Sequence, residues 1–277
     1  MKTRSANLPD FENPPVIEVV LGIQFDRIAS FQTIHAGHLW DGFRRDFPQV
    51  QEHPPLEPTF ETFGTKPVAE GVKLELMSGP LPFPRLWFLN DAQTQLIQFQ
   101  PDRFIHNWRK VKEGDVYPRY ERIKTRFLDE LATLEKFFSE HRLGDLRPNQ
   151  CEITYVNHIL SADGENLCEQ PESVFRFFRK DFDQSVLEQF EDSRFQIRFV
   201  LCDEKKSPIG RLHVNAQPAR SRDGQPMIAL TLTARAGTSA PTLEAASQFL
   251  DFGRDKIVRC FAEITTDIMH DRWGRRQ

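Results

Sequence analysis

Two long amphipathic segments set the strongest limit on how this chain can fold. Residues 117–141 and 243–271 each carry large apolar side chains at every third or fourth position, which predicts a helix with one buried face. In the first segment these are Tyr120, Ile123, Phe127, Leu131, Leu134 and Phe138, and in the second they are Leu250, Ile257, Phe261, Ile264 and Ile268. Each helix must cover an apolar surface supplied by another layer of structure.

The segments before each long helix alternate as strands do. Apolar residues occupy every second position of residues 16–25, as expected for a strand with one buried face. The rest of the first half is predicted to contain a helix at 31–47, a Pro-rich loop at 48–58, and strands at 59–64, 72–77, 85–90, 94–100 and 103–108. The second half is predicted to contain a strand at 151–160, a short helix at 172–182, and strands at 194–201, 210–217 and 227–235.

This repeated order predicts an α+β fold made by tandem duplication of a unit of strand, helix, antiparallel strands and long helix. The halves would be residues 1–146 and 147–277, with the helices on one face of an antiparallel sheet, in the layout of TBP-like duplicated folds. Aligning Glu18 with Glu152 superimposes the two opening strands. Gly253 lies on the stripe of the last helix, where glycine costs about 1 kcal/mol relative to alanine, so we expect another element to approach closely there.

The composition indicates a sizeable core and no general attraction to polyanions. The chain has 277 residues, 39% of them hydrophobic, and a net charge of −4, which gives no overall pull towards nucleic acid or an anionic membrane. It contains no apolar run of membrane-spanning length and no signal-like N-terminal segment. Its four cysteines form no C-x-x-C pair. We therefore expect a cytoplasmic protein with reduced thiols and no membrane partner.

The motifs of common catalytic chemistries are missing. The sequence contains no glycine-rich phosphate loop, no G-x-G-x-x-G, no H-E-x-x-H and no G-x-S-x-G. His35, His38 and His53 are candidate metal ligands, but zinc sites show denser ligand spacing, and a partly exposed helix is the favoured interpretation. No metal and no cofactor is expected.

Four short blocks carry most of the recognisable identity of the chain. They are NPPVIEVV from Asn13, QPDRFIHNWRK from Gln100, YPRY from Tyr117, and Trp273-Gly274. Together with Tyr155 and Asn157, they resemble a sporadically distributed family of bacterial proteins of similar length and unknown function. The resemblance covers nearly the whole chain and implies no catalytic residues. Members of that family often carry a His where this chain has Arg254.

The first candidate binding surface is the basic and aromatic segment 103–126. Eight basic residues stand against three acidic ones, with aromatic residues between them. Basic side chains bind phosphates while aromatic rings stack on bases, so the segment suggests a nucleotide or nucleic-acid binder. A solvated hairpin and helix with packed aromatic residues is the alternative interpretation. The candidate residues are Arg103, Trp108, Arg109, Lys110 and Arg119.

The second candidate surface is the outward face of the second predicted set of strands. If their apolar residues face the core, the alternating polar residues face outward. Several donors there would bind an anionic or polar ligand, because Arg makes bidentate contacts with carboxylates and phosphates. A solvated face shows the same alternation and is favoured. The candidate residues are Glu152, His158, Arg198, His213 and Arg235.

Three functions remain open at this stage. The sequence favours a non-enzymatic module that binds another protein, because catalytic motifs are missing, the sheet faces are polar, and Trp273 in the last segment would anchor that segment or a partner. Nucleotide or nucleic-acid binding through residues 103–126 is one alternative. The other is an enzyme with an unfamiliar site near Glu152, His158 and His213.

Overall fold

In the part of the chain that the structure describes, nine antiparallel strands form one sheet, and the helices lie on one face of it. The computed structural model describes residues 8–64, 82–162, 165–181 and 186–276. The fold is therefore α+β with a large antiparallel sheet, as the sequence predicts. Within the described ranges, no helix is both long enough and apolar enough to cross a bilayer.

The strands and helices alternate in two groups along the chain. The strands are β1 (Val16–Phe25), β2 (Gln49–His53), β3 (Arg85–Leu89), β4 (Gln95–Gln100), β5 (Arg103–Arg109), β6 (Pro148–Leu160), β7 (Phe195–Cys202), β8 (Pro208–Arg220) and β9 (Pro226–Gly237). The helices are α1 (Ile34–Asp41), α2 (Tyr120–Glu140), α3 (Pro171–Val174), α4 (Leu243–Ile264) and α5 (Asp267–Arg272).

The strand order places β1 and β6 side by side in the middle of the sheet. The order is β2-β3-β4-β5-β1-β6-β9-β8-β7, so the two predicted halves share one continuous sheet. On β1, Leu21 lies opposite His106 of β5 on one side and Ile153 of β6 on the other. All three side chains are buried under the helices. Their neighbours along each strand point to the opposite side, here called the open face.

Several predicted helices are shorter in the structure than in the prediction. The helix predicted at 31–47 forms only as α1, and the one predicted at 172–182 contributes only α3, although its last residue lies outside the described ranges. The long last helix breaks between α4 and α5, where the Ile264 carbonyl accepts a hydrogen bond from the Arg176 backbone and the Thr266 hydroxyl caps Met269. Threonine side chains compete with helical hydrogen bonds in this way. Ile268, counted in the predicted stripe, is consequently 62% exposed.

The predicted strands are mostly confirmed, with two differences near the prolines. β2 forms inside the predicted Pro-rich loop, where its polar residues gave no apolar alternation. Residues 59–64 form no strand, because they are held by sheet side chains rather than by a backbone ladder. The strand predicted at 72–77 lies outside the described residues.

Close packing at Gly253 is confirmed. A Cβ atom added there would lie 2.8 Å from Cγ2 of Ile153 on β6 and 3.0 Å from Cβ of Ala234 on β9. Glycine therefore lets α4 lie directly on the middle of its half of the sheet.

The segments 10–13 and 273–276 are paired with each other. The backbone N–H of Glu12 donates to Gly274, and that of Arg276 donates to Asp10. Trp273 is 6% exposed and lies 5.0 Å from the Phe261 ring and 6.0 Å from the Phe11 ring. Trp273 therefore anchors its own segment. Its availability to a partner protein, which was one reason for predicting a protein-binding module, is not borne out.

Candidate ligand-binding cleft

Residues 54–64, here called the strap, cross the open face of the sheet. The Leu56 backbone exchanges two hydrogen bonds with the Gln100 side chain, at 3.0 and 2.9 Å. The Thr59 backbone N–H donates to Oε1 of Gln24 at 3.0 Å. Side chains of the sheet thus hydrogen-bond the backbone of the strap, and these bonds depend on the side-chain amides of Gln24 and Gln100.

Glu61 anchors the strap to the second half of the sheet. Its carboxylate accepts hydrogen bonds from His213 at 2.7 Å and from Arg211, and Arg235 lies 3.8 Å away. Burial raises the pKa of Glu61, but the hydrogen bonds from His213 and Arg211 outweigh it and leave the pKa below its ordinary value of 4.5. Glu61 is therefore held as an anion beside three cationic or hydrogen-bond-donating side chains.

A cleft of about 340 Å³ lies between the strap and the centre of the sheet. Its floor is formed by Gly22 of β1, with Ile105 and Glu152 on the neighbouring strands. A Cβ atom on Gly22 would come within 3.3 Å of Ile105 Cγ1 and 3.4 Å of Glu152 Cγ. Volumes of this size are typical of small-molecule sites.

Two buried donors in the cleft have no hydrogen-bond partner. They are Nε2 of Gln150, a residue only 4% exposed, and Nε of Arg103. Arg103 uses Nη2 to hold Oε1 of Gln24 at 2.7 Å and the Glu57 carbonyl at 2.9 Å. Burial lowers the pKa of Arg103, yet a guanidinium stays charged in proteins. Unsatisfied buried donors are rare and require an explanation.

The other charged residues that line the cleft are Glu57 and an ion pair. Nε of Arg235 donates to Oε2 of Glu152 at 2.7 Å, on neighbouring positions of β9 and β6. The other guanidinium of the cleft belongs to Arg103. Its hydrogen bonds described above go to an amide oxygen and a backbone carbonyl, and not to a carboxylate. The cleft is therefore suited to a ligand that accepts hydrogen bonds and carries negative charge.

The structure brings three of the ten predicted site residues into this cleft and places the others elsewhere. Arg103, Glu152 and Arg235 line it, and His213 lies beside it at the Glu61 anchor. His158 lies six positions from Glu152 along β6, about 20 Å away at the rise of a strand, so the predicted grouping of Glu152, His158 and His213 does not form one site.

The other predicted residues lie outside the cleft. Arg109 donates to the Gln93 carbonyl at 2.7 Å, and Arg198 is exposed on β7. Lys110 and His158 line a separate shallow surface, and burial lowers the pKa of His158. Arg119 binds Asp10 at 3.1 Å on the helix side.

The basic and aromatic segment 103–126 does not form one surface. Trp108 is 4% exposed and Tyr120 is 5% exposed, so neither ring is available to stack on a base. Lys124 pairs with Asp251 at 2.7 Å, and Arg126 pairs with Glu130 at 2.8 Å. Nucleic-acid binding through this segment therefore stays a prediction, but the two buried rings cannot supply the base stacking on which that prediction depended.

The candidate metal ligands are also separated. His35 and His38 lie near His141, whereas His53 stacks on Trp87 with ring centres 3.9 Å apart. Across the part of the chain that the structure describes, no group of three or more His, Cys, Asp or Glu side chains is arranged to hold a metal ion.

Sequence reasoning missed the residues that build the cleft. Glu61 lies in an irregular segment, and it meets Arg211 across 150 positions of sequence. Gln24 and Gln150 were not singled out, although both occupy outward positions of predicted strands or their flanks. A glutamine at such a position, beside predicted Arg residues, was the available signal.

Comparisons with known proteins add little to this geometry. No protein-family model and no curated protein matches the chain, so the family resemblance of the four blocks stays a prediction. A search of solved structures found the di-domain ARO/CYC StfQ from the steffimycin biosynthetic pathway. It is 11% identical, with 90% of this chain and 98% of that chain covered, at a TM-score of 0.15. A likeness this low supports no conclusion.

Proposed function

We propose that this protein binds a small anionic ligand in the cleft between the strap and the sheet. The observation that carries the proposal is that Nε2 of Gln150 and Nε of Arg103, both buried and unpartnered, line the same cleft. A carboxylate or phosphate oxygen would satisfy both donors and offset the Arg103 charge.

The geometry favours binding over catalysis. The cleft holds charged and amide groups that are fixed by neighbours, such as the Arg235–Glu152 pair. Cys151 is part of the cleft lining, but its side chain lies on the same face of β6 as Ile153, under the helices. Burial raises the pKa of the Cys151 thiol to about 12, so this thiol is neutral at physiological pH and a poor nucleophile.

Isothermal titration with phosphate and malonate, at constant ionic strength, tests the proposal. Malonamide, the neutral analogue of malonate, controls for shape. We expect at least one anion to bind while malonamide does not, and Arg103→Met to weaken that binding roughly 10- to 100-fold, because a charge-assisted hydrogen bond is lost. Gln150→Leu should weaken it less.

Arg109→Met is the matched control for this titration. Arg109 lies on the same strand and the same face as Arg103, but its Nε is engaged by Gln93 outside the cleft. Its replacement should leave the affinity unchanged. Equal losses in the two variants, or no binding of any anion by the unaltered protein, would contradict the proposal.

A second candidate function, binding of a partner protein, rests on the outer edge of β7. This eight-residue strand is last in the sheet, and it exposes Phe199 (44%) and Val200 (53%). An extended segment of a partner protein could add to such an edge as a further strand. We expect a partner co-purified from cell extract to be lost from Val200→Lys and kept by Val50→Lys, which alters the opposite edge. Equal recovery by both variants would contradict this candidate.

We further infer that the sheet arose by tandem duplication, with the boundary at residues 146 and 147. Outward from the centre, the first half runs β1-β5-β4-β3 and the second β6-β9-β8-β7, and each half ends in a long helix. The alignment of Glu18 with Glu152 is supported by their neighbours, because Glu18 lies opposite Arg109 and Glu152 lies opposite Arg235. In this account β2 is an addition to the first half.

A further inference from the structure

A second cavity lies on the helix side of the sheet, away from the cleft. Five separated parts of the chain enclose it: residues 9–16, the segment 117–120 that leads into α2, β6, β9, and the middle of α4. Its enclosed volume is about 70 Å³, and the space is about 590 Å³ when the open mouth is included. The sheet and the two long helices meet here, and residues 9–14 form the outer wall.

Apolar side chains form most of the wall. Val16 and Leu232 come from the sheet, and Ile257 and Phe261 come from α4. All four residues are less than 9% exposed. Such a wall binds the apolar body of a ligand through the surface removed from water.

One end of the cavity is polar and carries a hydroxyl pair. The hydroxyl oxygens of Tyr117 and Tyr155 are 3.1 Å apart. Burial raises the pKa of both tyrosines, so both hydroxyls stay protonated. A bond between two hydroxyls uses only one of the two protons, and the other proton is available to an acceptor.

A buried guanidinium lies at the same end. The Arg254 side chain is 12% exposed, and its Nε has no hydrogen-bond partner. Its Nη2 is 3.5 Å from Oε1 of Glu121, and its guanidinium carbon lies 5.4 Å from the centre of the Tyr120 ring. A guanidinium with an unpartnered Nε beside a spare hydroxyl proton suits a carboxylate, which can accept hydrogen bonds from both.

The outer wall is held in place by Arg119. This residue has φ of 72° and ψ of 154°, a backbone region occupied almost only by glycine. Its guanidinium donates to Oδ1 of Asp10 and to the Phe11 carbonyl, each at 3.1 Å. These two hydrogen bonds hold residues 10 and 11 over the cavity.

We propose that this cavity is a second binding site, which takes a compact ligand with an aromatic or aliphatic body and one carboxylate. The carboxylate contacts Arg254 and the Tyr117–Tyr155 pair, and the body contacts Val16, Leu232 and Phe261. The site is independent of the cleft, because the two cavities lie on opposite faces of the sheet and share no lining residue.

Titration calorimetry of the full chain with benzoate, phenylacetate and hexanoate tests this site, with benzamide as the neutral control. We expect at least one of the three acids to bind and benzamide to bind at least 10-fold more weakly. Arg254→Lys keeps the charge but removes Nε, and should weaken binding of that acid by roughly 10-fold or more. Tyr117→Phe should weaken it by several-fold while leaving the circular dichroism spectrum unchanged.

A reciprocal pair of variants separates this site from the cleft. Arg103→Met should leave binding of the aromatic or aliphatic acid unchanged, and Arg254→Lys should leave the heat of malonate titration as it is in the unaltered protein. No binding by any of the three acids, or equal binding in the unaltered protein and in both Arg254→Lys and Tyr117→Phe, would overturn the proposal. Loss of acid binding in Arg103→Met alone would assign that binding to the cleft and overturn it as well.

Discussion

At the residue scale, the open face of the sheet is notable for burying amides where a core would bury apolar side chains. Gln24, Gln98, Gln100 and Gln150 are each less than 8% exposed. Gln98 shows how such a residue is satisfied: its Oε1 accepts from Trp87, and its Nε2 donates to Oδ1 of Asn107 at 2.8 Å. Satisfied buried networks of this kind are rigid. Gln150, whose donor is unsatisfied, is therefore the residue of this set that a ligand would complete.

A glycine on the other face gives a prediction for the core. Replacement of Gly253 by alanine should lower the free energy of unfolding by about 1–2 kcal/mol, because overpacking against Ile153 and Ala234 outweighs the gain in helix propensity. Chemical denaturation followed by circular dichroism measures the change.

Gly37 provides the control for this substitution. It lies in α1, and a Cβ atom added there would meet nothing within 4 Å. Gly37→Ala should therefore raise stability by up to about 1 kcal/mol. If Gly253→Ala were stabilising to the same extent, α4 would lie farther from the sheet than the structure shows.

At the scale of elements, the attachment of the strap depends on pH. The pKa of Glu61 is lower in the folded protein than its ordinary value of 4.5. Its charge therefore stabilises the bound strap at any pH above 4.5, and that contribution is lost as pH falls through the lowered pKa. Hydrogen exchange in residues 54–64, corrected for intrinsic rates, should accelerate when the pH falls well below 4.5.

Variants in the strap identify the responsible carboxylate. In Glu61→Gln the strap should exchange roughly 10-fold faster already at pH 7, because the charge-assisted bonds from His213 and Arg211 are lost. Glu57→Gln alters an exposed side chain of the same strap and should behave as the unaltered protein does. Acid-induced opening that persists unchanged in Glu61→Gln would show that another group controls the strap.

The strap also marks the limit of what the sequence could predict. Alternation placed Glu152 and Arg235 on outward positions, because the face of a side chain follows from its position along a strand, whereas Arg103 was a candidate only as part of the basic segment 103–126. The position of the strap depends instead on contacts such as that of Glu61 with Arg211. These contacts join residues far apart in the chain, so they produce no periodic pattern in the local sequence. The break between α4 and α5 was missed for a related reason, since the Ile264 carbonyl is used by Arg176 from another segment.

At the scale of the whole molecule, several connections join the two halves, and two of them differ clearly in position. One is the β1–β6 pairing, with Val20 opposite Thr154 near its middle. The other is the pairing of segments 10–13 and 273–276 around Phe11 and Trp273. The first is central and the second peripheral, so they should contribute differently to cooperativity.

Urea unfolding of Trp273→Ala tests this arrangement. We expect a loss of about 3–5 kcal/mol, the usual cost of removing a large buried aromatic side chain, and a smaller loss for Trp273→Phe, which keeps a ring against Phe11 and Phe261. Unfolding should remain a single transition in both variants, with fluorescence and circular dichroism midpoints that coincide, because the β1–β6 ladder still couples the halves. Two separated midpoints in Trp273→Ala would show instead that the peripheral pairing, and not the central strands, makes the two halves unfold together.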